Sequence, residues 1–345
     1  MGISDDSAGA ARISLGTFPT PVESAPRLAA ALGMDMGQLW IKRDDLTGLG
    51  GGGNKVRKLE RVVAAALDGG ADALVTTGAA QSNHARLTAA AGARLGIPVT
   101  LVLAGEPGAA VGNLLLDGLF GARIRWAGDV DHSALAVLAE EVAGDLGSAG
   151  AHPAIIPFGG SNRDGVLAYA DAARELCAQL PGESVSVVAL GSGGTMAGLA
   201  AELGTRRVLG VHTGAVSDPR AVVAALASTV TARPVDPRTL RLRTDQVGAG
   251  YGTLTKQAAE AIRLAARTEG IVLDPIYTGR ALAGLVAAVR DGGLGSDGPV
   301  VFWHTGGLPG LFGHRDAAAV ASGAPEEGSR RTASARPPAQ APLRH

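Results

Sequence analysis

The sequence Gly52-Gly53-Asn54-Lys55-Val56-Arg57-Lys58-Leu59 is the most informative stretch of the chain. Three more glycines precede it, so that only Leu49 interrupts a run of five. Lysine is rare here, with four among 31 cationic residues, and two of the four lie in this stretch. A lysine amine can hold an aldehyde cofactor as a Schiff base, and a glycine loop lets a flat ligand approach the backbone. The other interpretation of this segment alone is a flexible loop followed by a helix with a solvated basic face.

Composition restricts the classes of protein. A chain of 345 residues suits two domains, and 46% hydrophobic with 18% charged residues is typical of a globular protein. The net charge of −1 gives no reason to expect nucleic acid or a membrane surface as partner. Cys177 is the only cysteine, which excludes a disulfide framework and a cysteine zinc site and favours a reducing compartment. We predict that Cys177 packs inside a helical stretch and that the protein binds no metal.

Targeting signals are not apparent. The chain begins Met-Gly-Ile-Ser-Asp-Asp, without the apolar segment of a signal peptide, and no apolar run reaches the roughly 18 residues of a membrane span. The expectation is therefore a cytoplasmic protein.

Short apolar runs alternate with longer Ala/Leu-rich segments along the chain. This alternation predicts an α/β protein whose parallel sheets are covered by helices on both faces. In such sheets, ligands bind in the turns that follow the carboxyl ends of the strands. The predicted strands are 73–77, 99–103, 123–126, 154–156, 185–190, 208–211 and 300–303, and the predicted helices include 82–95, 163–180, 195–203, 218–228, 253–268 and 279–291.

The turn Gly191-Ser192-Gly193-Gly194-Thr195 lies between a predicted strand and a predicted helix. Backbone N–H groups converge in such a turn, and the helix dipole favours an anion there. No Lys-Ser/Thr pair follows, and position 196 is Met, so neither the Walker nor the dinucleotide pattern is met. The turn therefore predicts a site for a compact phosphate; the alternative is a glycine turn needed only for helix packing.

Two further polar regions stand in predicted turns. Thr77 to His84 is a dense polar set in which Ser82 suits a helix N-cap and could also help to bind a carboxylate. His84 by itself is better explained as a structural residue. Tyr251 and Tyr277 both stand in glycine-flanked turns, which favours site residues over aromatic plugs of loops.

Five motifs occur in one order: Gly-Gly-Asn-Lys-x-Arg-Lys-Leu-Glu, Gln-Ser-Asn-His, Gly-Ser-Gly-Gly-Thr, Asp-Pro-x-Tyr-Thr-Gly and His-Thr-Gly-Gly. In them the chain resembles the fold type II pyridoxal-phosphate (PLP) enzymes, in the branch of D-cysteine desulfhydrase and 1-aminocyclopropane-1-carboxylate (ACC) deaminase. The resemblance runs from about Leu15 to about Gly313. It implies two open, twisted, mostly parallel sheets, as in the tryptophan synthase β subunit, and a homodimer. It also implies a large cofactor-binding domain of residues 1–57 and 170–320 and a small domain of residues 58–169. Residues 321–345, poor in large apolar side chains, are predicted to be a disordered tail.

The resemblance also implies roles for the matching residues. Lys55 would hold PLP and move the Cα proton, and Lys58 would lie near the phosphate. Ser82 would hold or help to deprotonate the substrate, while Tyr251 and Tyr277 would flank it as acid/base or stacking groups. The remaining cofactor contacts would come from Gly191, Ser192, Gly193, Gly194 and Thr195 to the phosphate, from Asn83 to the 3′-oxygen of the ring and from Thr278 to the pyridine nitrogen.

Thr278 bears on the reaction. ACC deaminases carry Glu at this position, and a carboxylate would keep the ring nitrogen protonated and strengthen the electron sink. A neutral hydroxyl is sufficient for α,β-elimination, in which the leaving group takes up the charge. The leading prediction is D-cysteine converted to hydrogen sulfide, pyruvate and ammonia. ACC deamination and elimination from L-cysteate, β-chloroalanine or other β-substituted alanines stay open, as do an inactive PLP-binding relative and, in another class, a non-catalytic protein that binds a phosphometabolite.

Overall fold

The computed structural model describes residues 12–294 and 298–322. Within them the chain alternates strands and helices, as the sequence predicts. The strands are β1 (Val22–Ser24), β2 (Leu39–Lys42), β3 (Ala73–Ala79), β4 (Val99–Ala104), β5 (Arg123–Trp126), β6 (Pro153–Ile156), β7 (Val185–Leu190), β8 (Val208–His212), β9 (Arg241–Arg243) and β10 (Val300–Trp303). The helices are α1 (Pro26–Ala31), α2 (Lys55–Asp68), α3 (Asn83–Leu95), α4 (Asn113–Leu119), α5 (His132–Ser148), α6 (Arg163–Gln179), α7 (Gly194–Leu203), α8 (Pro219–Ser228), α9 (Lys256–Glu269), α10 (Thr278–Arg290), α11 (Leu308–Phe312) and α12 (Ala317–Ser322).

The strands form two sheets. One has six strands in the order β1-β2-β10-β7-β8-β9, and the other has four in the order β5-β4-β3-β6. Among the strands of the described residues, only β1 and β2 pair antiparallel, so the prediction of two mostly parallel sheets is confirmed. The six-stranded sheet takes strands from both ends of the chain, and the four-stranded sheet uses only 73–156. The domain boundaries at 57/58 and 169/170 stay a prediction.

Each sheet is covered on both faces because successive side chains of a strand point to opposite sides. In β7, Val187 packs with α1, α9 and α10, whereas Val188 packs with α6, α7 and α8. In β4, Leu101 faces α2 and α3, whereas Val102 faces α5. Strands that are buried on both faces have continuous apolar sequences, and for this reason they could be predicted from the sequence.

Other elements were not predicted. The strands β1, β2 and β9 are only three or four residues long, and β9 reads Arg-Leu-Arg. Helix α9 begins at Lys256 rather than at 253, because the hydroxyl of Thr255 caps it by accepting from the Ala258 N–H (3.1 Å).

Cys177 corrects one expectation. It lies on α6 as predicted, but it faces solvent instead of packing in the core. Helix α12 extends to Ser322, two residues into the predicted tail, and residues 323–345 lie outside the described residues. Among the described helices, none combines the length and the apolar character that crossing a membrane requires.

A buried ion network joins the segment after β2 to α2 and α6. Asp44 is fully buried and accepts from the Arg57 guanidinium (2.9 Å), the Tyr169 hydroxyl (2.6 Å) and the Thr20 hydroxyl (2.8 Å). Arg57 also donates to Glu175 (2.9 Å), which lowers the pKa of that carboxyl to about 2 against the opposing effect of burial. The network fixes the start of α2, where Lys55 lies.

Asp44→Ala is expected to destabilise the protein by about 3–5 kcal/mol, because it removes one of the two carboxylates that pair with the buried Arg57 and leaves the buried Tyr169 hydroxyl without its acceptor. Urea denaturation followed by circular dichroism measures the change. Asp236→Ala is the control, since Asp236 forms an exposed ion pair with Arg238, and such pairs contribute little. Equal midpoints for the two variants would contradict the assigned importance of the network.

Candidate active site

A cavity lies where the carboxyl ends of strands from both sheets meet. Its walls come from the turns after β3, β6, β7 and β10, from the start of α2 and α5, and from the loop before α9. Parallel sheets place their ligand sites at this end. The lining residues are Asn54, Lys55, Ala79, Ser82, Asn83, His84, His132, Phe158, Gly159, Ala189, Gly191, Ser192, Gly193, Thr195, Tyr251, Tyr277, Thr305 and Gly306.

A constrained glycine loop delivers Lys55 to this cavity. Gly52 and Gly53 have φ angles of 73° and 130°, and a Cβ on Gly52 would lie 1.9 Å from the carbonyl oxygen of Asp45. The buried Arg86 donates to the carbonyls of Gly50 and Gly52, and Thr47 Oγ1 accepts from the Gly53 N–H (2.8 Å). The alternative of a flexible loop before a solvated basic helix is therefore wrong.

The amines of Lys55 and Lys58 lie close together. Lys55 Nζ donates to the Gly159 carbonyl (3.0 Å), and Lys58 Nζ donates to the same carbonyl (3.3 Å) and to Ser161 Oγ (3.1 Å). Burial lowers the pKa of Lys55 to about 8. Burial, together with the charge of Lys55, lowers the pKa of Lys58 well below its usual range. In 12–294 and 298–322, no carboxylate lies within 4.0 Å of either amine.

The glycine turn after β7 faces these amines. Gly193 has a φ of 89°, and a Cβ on Gly194 would lie 2.8 Å from Lys58 Nζ and 2.6 Å from Ser161 Oγ. Gly194 begins α7, so free N–H groups of the helix start lie there. Within the described part of the chain, the two buried amines have no carboxylate partner, and they lie beside a helix N-terminus where only glycine fits. This arrangement suits a phosphate group.

The residues predicted for this cradle come together. Gly191, Ser192, Gly193 and Thr195 line the cavity, while Gly194 lies against Lys58. The hydroxyl of Ser192 is within hydrogen-bond distance of Ser161 Oγ (2.8 Å). The structure thus accommodates the phosphate that the sequence predicts.

Ser82 and Asn83 occupy the start of α3. Ser82 Oγ accepts from the Ala85 N–H (3.1 Å) as an N-cap, and it also lines the cavity. Asn83 Oδ1 accepts from Asn113 Nδ2 (3.0 Å), which leaves the Asn83 NH₂ group to donate to a ligand oxygen. His84 is buried against Thr76 (3.0 Å), and burial keeps its pKa well below the usual value, in line with a structural role for a neutral imidazole.

Tyr251 and Tyr277 meet in the wall of the cavity. Their hydroxyl groups share a short hydrogen bond, and their rings are edge to face with centroids 6.1 Å apart. Burial raises the pKa of Tyr251 and raises that of Tyr277 well above the usual value. Both side chains line the cavity, as predicted for site residues.

Thr278 is a correction. It is fully buried outside the cavity lining, and its hydroxyl donates to Asp274 Oδ1 (2.7 Å) and accepts from the Asp274 N–H (2.9 Å). Both bonds lie within the local turn, so this turn, and not the cavity, uses the hydroxyl of Thr278. Thr305, in the polar turn after β10, is the threonine that this part of the cavity presents.

Other lining residues were missed by the sequence analysis. His132, at the start of α5, packs its ring on Phe158 (centroids 4.2 Å apart), and its Nε2 lies 3.1 Å from the Ala215 carbonyl oxygen. This contact joins the four-stranded sheet region to the loop after β8. The asparagine of the lysine motif, Asn54, donates to Thr195 Oγ1 (3.0 Å). The glycine motif could have suggested Asn54, but no local pattern marks His132 or Phe158.

Comparison with known proteins agrees with this geometry. A family model described as "Pyridoxal-phosphate dependent enzyme" matches residues 13–306. A D-cysteine desulfhydrase of Salmonella choleraesuis is 38% identical over 325 residues, covering 88% of this chain and 96% of the relative. A D-cysteine desulfhydrase of Klebsiella pneumoniae is 40% identical over 320 residues, covering 88% of this chain and 96% of the relative. A putative ACC deaminase of Pyrococcus furiosus is 38% identical over 316 residues, with 88% and 94% covered.

Solved structures agree as well. The crystal structure of an ACC deaminase homologue has a TM-score of 0.82 and 37% identity, covering 91% of this chain and 97% of the other. A processed threonine deaminase isoform 2 from Solanum lycopersicum has a TM-score of 0.61 at 18% identity, covering 85% of this chain and 80% of the other, and shows the fold alone. The resemblance inferred from the five motifs is confirmed.

Proposed function

This chain belongs to the pyridoxal-phosphate dependent enzymes, and from that premise we propose that it catalyses α,β-elimination from a small β-substituted amino acid. D-cysteine is the proposed substrate, giving pyruvate, hydrogen sulfide and ammonia. The observation that carries the proposal is the absence of Asp and Glu from the cavity lining among the described residues. A ring nitrogen that no carboxylate keeps protonated is a weaker electron sink, which is sufficient when a good leaving group takes up the charge.

We propose that Lys55, Lys58, Asn83 and the turn 191–195 hold the cofactor. When bound, PLP supplies an electron sink that acidifies the Cα–H of the amino acid. The Lys55 amine, whose pKa of about 8 leaves part of it neutral near pH 7, takes the Cα proton. A positioned base of this kind contributes roughly 10²–10⁴-fold to the rate.

The opposite ends of the cavity would hold the rest of the substrate. We assign the substrate carboxylate to Ser82 and the N–H groups at the start of α3, where the helix dipole favours an anion. We assign the leaving group to the side of the cavity that Tyr251 and Tyr277 line, where their shared hydrogen bond could pass a proton to the departing sulfur. We propose that the cofactor lies between the large domain, residues 1–57 and 170–320, and the small domain, residues 58–169.

Purified protein is tested with D-cysteine, L-cysteine, L-cysteate, β-chloroalanine and ACC, with sulfide and keto acid measured. We expect sulfide and pyruvate in equal amounts from D-cysteine. Keto acid from ACC without sulfide from D-cysteine would favour the deaminase named among the relatives. Activity with only cysteate or chloroalanine would reject the substrate but keep the elimination. A yellow protein inert toward all five would indicate an inactive relative, and a colourless one a phosphometabolite-binding protein.

A cytoplasmic homodimer is part of the proposal. Its location rests on the single, exposed thiol of Cys177. The dimer surface that we propose is apolar and formed by α4, α11 and the turn after β2. These segments are neighbours, since a Cβ on Gly112 would lie 2.7 Å from the Pro309 carbonyl oxygen and a Cβ on Gly51 would lie 3.6 Å from Pro309 Cγ. Sedimentation at several concentrations tests it, and a monomer at all of them would contradict it. The exposed apolar side chains of the proposed dimer surface are Leu46, Val111, Leu115, Leu119, Leu308 and Phe312.

A further inference from the structure

Arg280 lies one helical turn beyond Tyr277 and is fully buried. Its guanidinium donates to three backbone carbonyls: those of Thr213 (2.5 Å), Gly250 (2.8 Å) and Thr253 (2.6 Å). Among the residues that the structure describes, no carboxylate lies within 4.0 Å of the Arg280 guanidinium, which therefore bonds to backbone carbonyls. A planar fork with five donors is suited to joining several acceptors at once.

Two of these carbonyls bracket Tyr251. Gly250 precedes it and Thr253 follows two residues later, whereas the bond within the turn, from the Thr253 N–H to the Gly250 carbonyl, is 3.4 Å long. The third carbonyl, of Thr213, belongs to the loop after β8, whose Gly214 packs against the Tyr251 backbone. Because Arg280 and Tyr277 share the first turn of α10, the guanidinium ties the Tyr251 loop to the helix that carries Tyr277.

The charge of Arg280 also acts on the tyrosine pair. Burial and Asp274 raise the pKa of Tyr251, and the Arg280 charge lowers it. For Tyr277, burial, Tyr251 and Asp274 raise the pKa, and Arg280 again opposes them. Asp274 does not neutralise Arg280 by contact, because its oxygens accept from the N–H groups of Ile276, Tyr277 and Thr278 (2.8–2.9 Å).

We propose that Arg280 is a positioning residue that holds the Tyr251 hydroxyl against that of Tyr277 and thereby sets the rate of proton delivery to the leaving group. The inference rests on the proposed function of the tyrosine pair. In that step a tyrosine O–H gives its proton to the departing thiolate, and solvent returns a proton after the product leaves. Displacement of such a donor by about 1 Å can cost on the order of 10²-fold in rate.

Arg280→Met and Arg280→Lys are compared with Tyr251→Phe as reference. Arg220→Met is the control, because Arg220 also donates to two backbone carbonyls, of Pro237 (3.0 Å) and Leu240 (2.8 Å), but away from the cavity. We expect Arg280→Met to lower kcat for D-cysteine on the order of 10²-fold with KM nearly unchanged. Arg280→Lys should recover about tenfold of this, since it keeps the charge and part of the bonding. Arg220→Met should stay near wild type.

The pH profile separates positioning from a general loss of structure. Loss of the Arg280 charge raises the pKa of the tyrosine pair, so the alkaline limb of kcat should move to higher pH in Arg280→Met and not in Arg280→Lys. A merely structural role would lower the yield of folded protein and leave both kcat per folded molecule and the alkaline limb unchanged. A wild-type kcat in Arg280→Met, or an equal loss in Arg220→Met, would overturn the inference.

Hydrogen exchange tests the inference without any substrate. Arg280→Met should exchange amides of residues 248–255 faster than wild type, while Arg220→Met should not; unchanged exchange there would overturn the proposal. If wild-type protein does not act on D-cysteine, the proposed substrate fails while the exchange result still decides the role of Arg280. If Tyr251→Phe retains full activity, the tyrosine role fails, and with it the catalytic part of this inference.

Discussion

Lys55→Ala is expected to lower kcat for D-cysteine by at least about 10⁴-fold and to remove the visible absorbance of the purified protein. The change deletes the amine that both holds the cofactor and takes the Cα proton. Lys58 lies within reach of the same carbonyl but donates to Ser161 on the phosphate side, so it is not placed to replace it. Absorbance between 300 and 500 nm and sulfide release measure the two effects.

The control for this experiment is Lys256→Ala, whose amine is exposed on α9. It should keep colour and activity. Borohydride reduction followed by peptide mapping locates the attachment directly, and a label on Lys42, Lys58 or Lys256 would end the assignment of Lys55. A colourless but fully active Lys55→Ala would reject PLP chemistry at this site.

Ser82→Ala is expected to lower kcat/KM for D-cysteine by about 10²–10³-fold. The hydroxyl lines the cavity at the start of α3, where we assign the substrate carboxylate and the help in moving the Cα proton. The same change removes an N-cap, which costs about 1 kcal/mol of stability. Kinetics and thermal denaturation are therefore measured on one preparation.

Asp218→Ala is the matched control for the cap. Asp218 accepts from the Ala221 N–H (3.0 Å) at the start of α8, as Ser82 does from Ala85 on α3, but it does not line the cavity. It should lose similar stability and keep its kinetics. If both variants lose activity in proportion to stability, Ser82 has only a structural role.

The sequence was sufficient for much of the fold and for most of the site. Buried parallel strands read as apolar runs, and polar or glycine residues follow them directly, so the turns after β3, β7 and β10 could be placed at one edge of their sheets. Lys55, Ser82 and Gly191 lie in such turns or helix starts, and all three line the cavity. Those features are local, and local patterns reveal them.

Features that depend on tertiary contacts were not predictable in this way. Thr278 was assigned to the cofactor from its motif, but the side chain of Asp274, four residues earlier, occupies its hydroxyl. His132 reaches the cavity only because α5 brings it beside Phe158. Arg280 acts on a loop about 30 residues away, and nothing in its neighbours along the chain marks it as buried.

The paired amines of Lys55 and Lys58 have a consequence for the lifetime of the protein. A poorly solvated place that holds both amines disfavours their charged forms and so weakens the folded state. An anionic ligand that binds only the folded state favours the charged forms again and shifts the folding equilibrium by mass action. Cofactor supply would then govern how much of this enzyme survives proteolysis in the cell, in addition to how much of it is active.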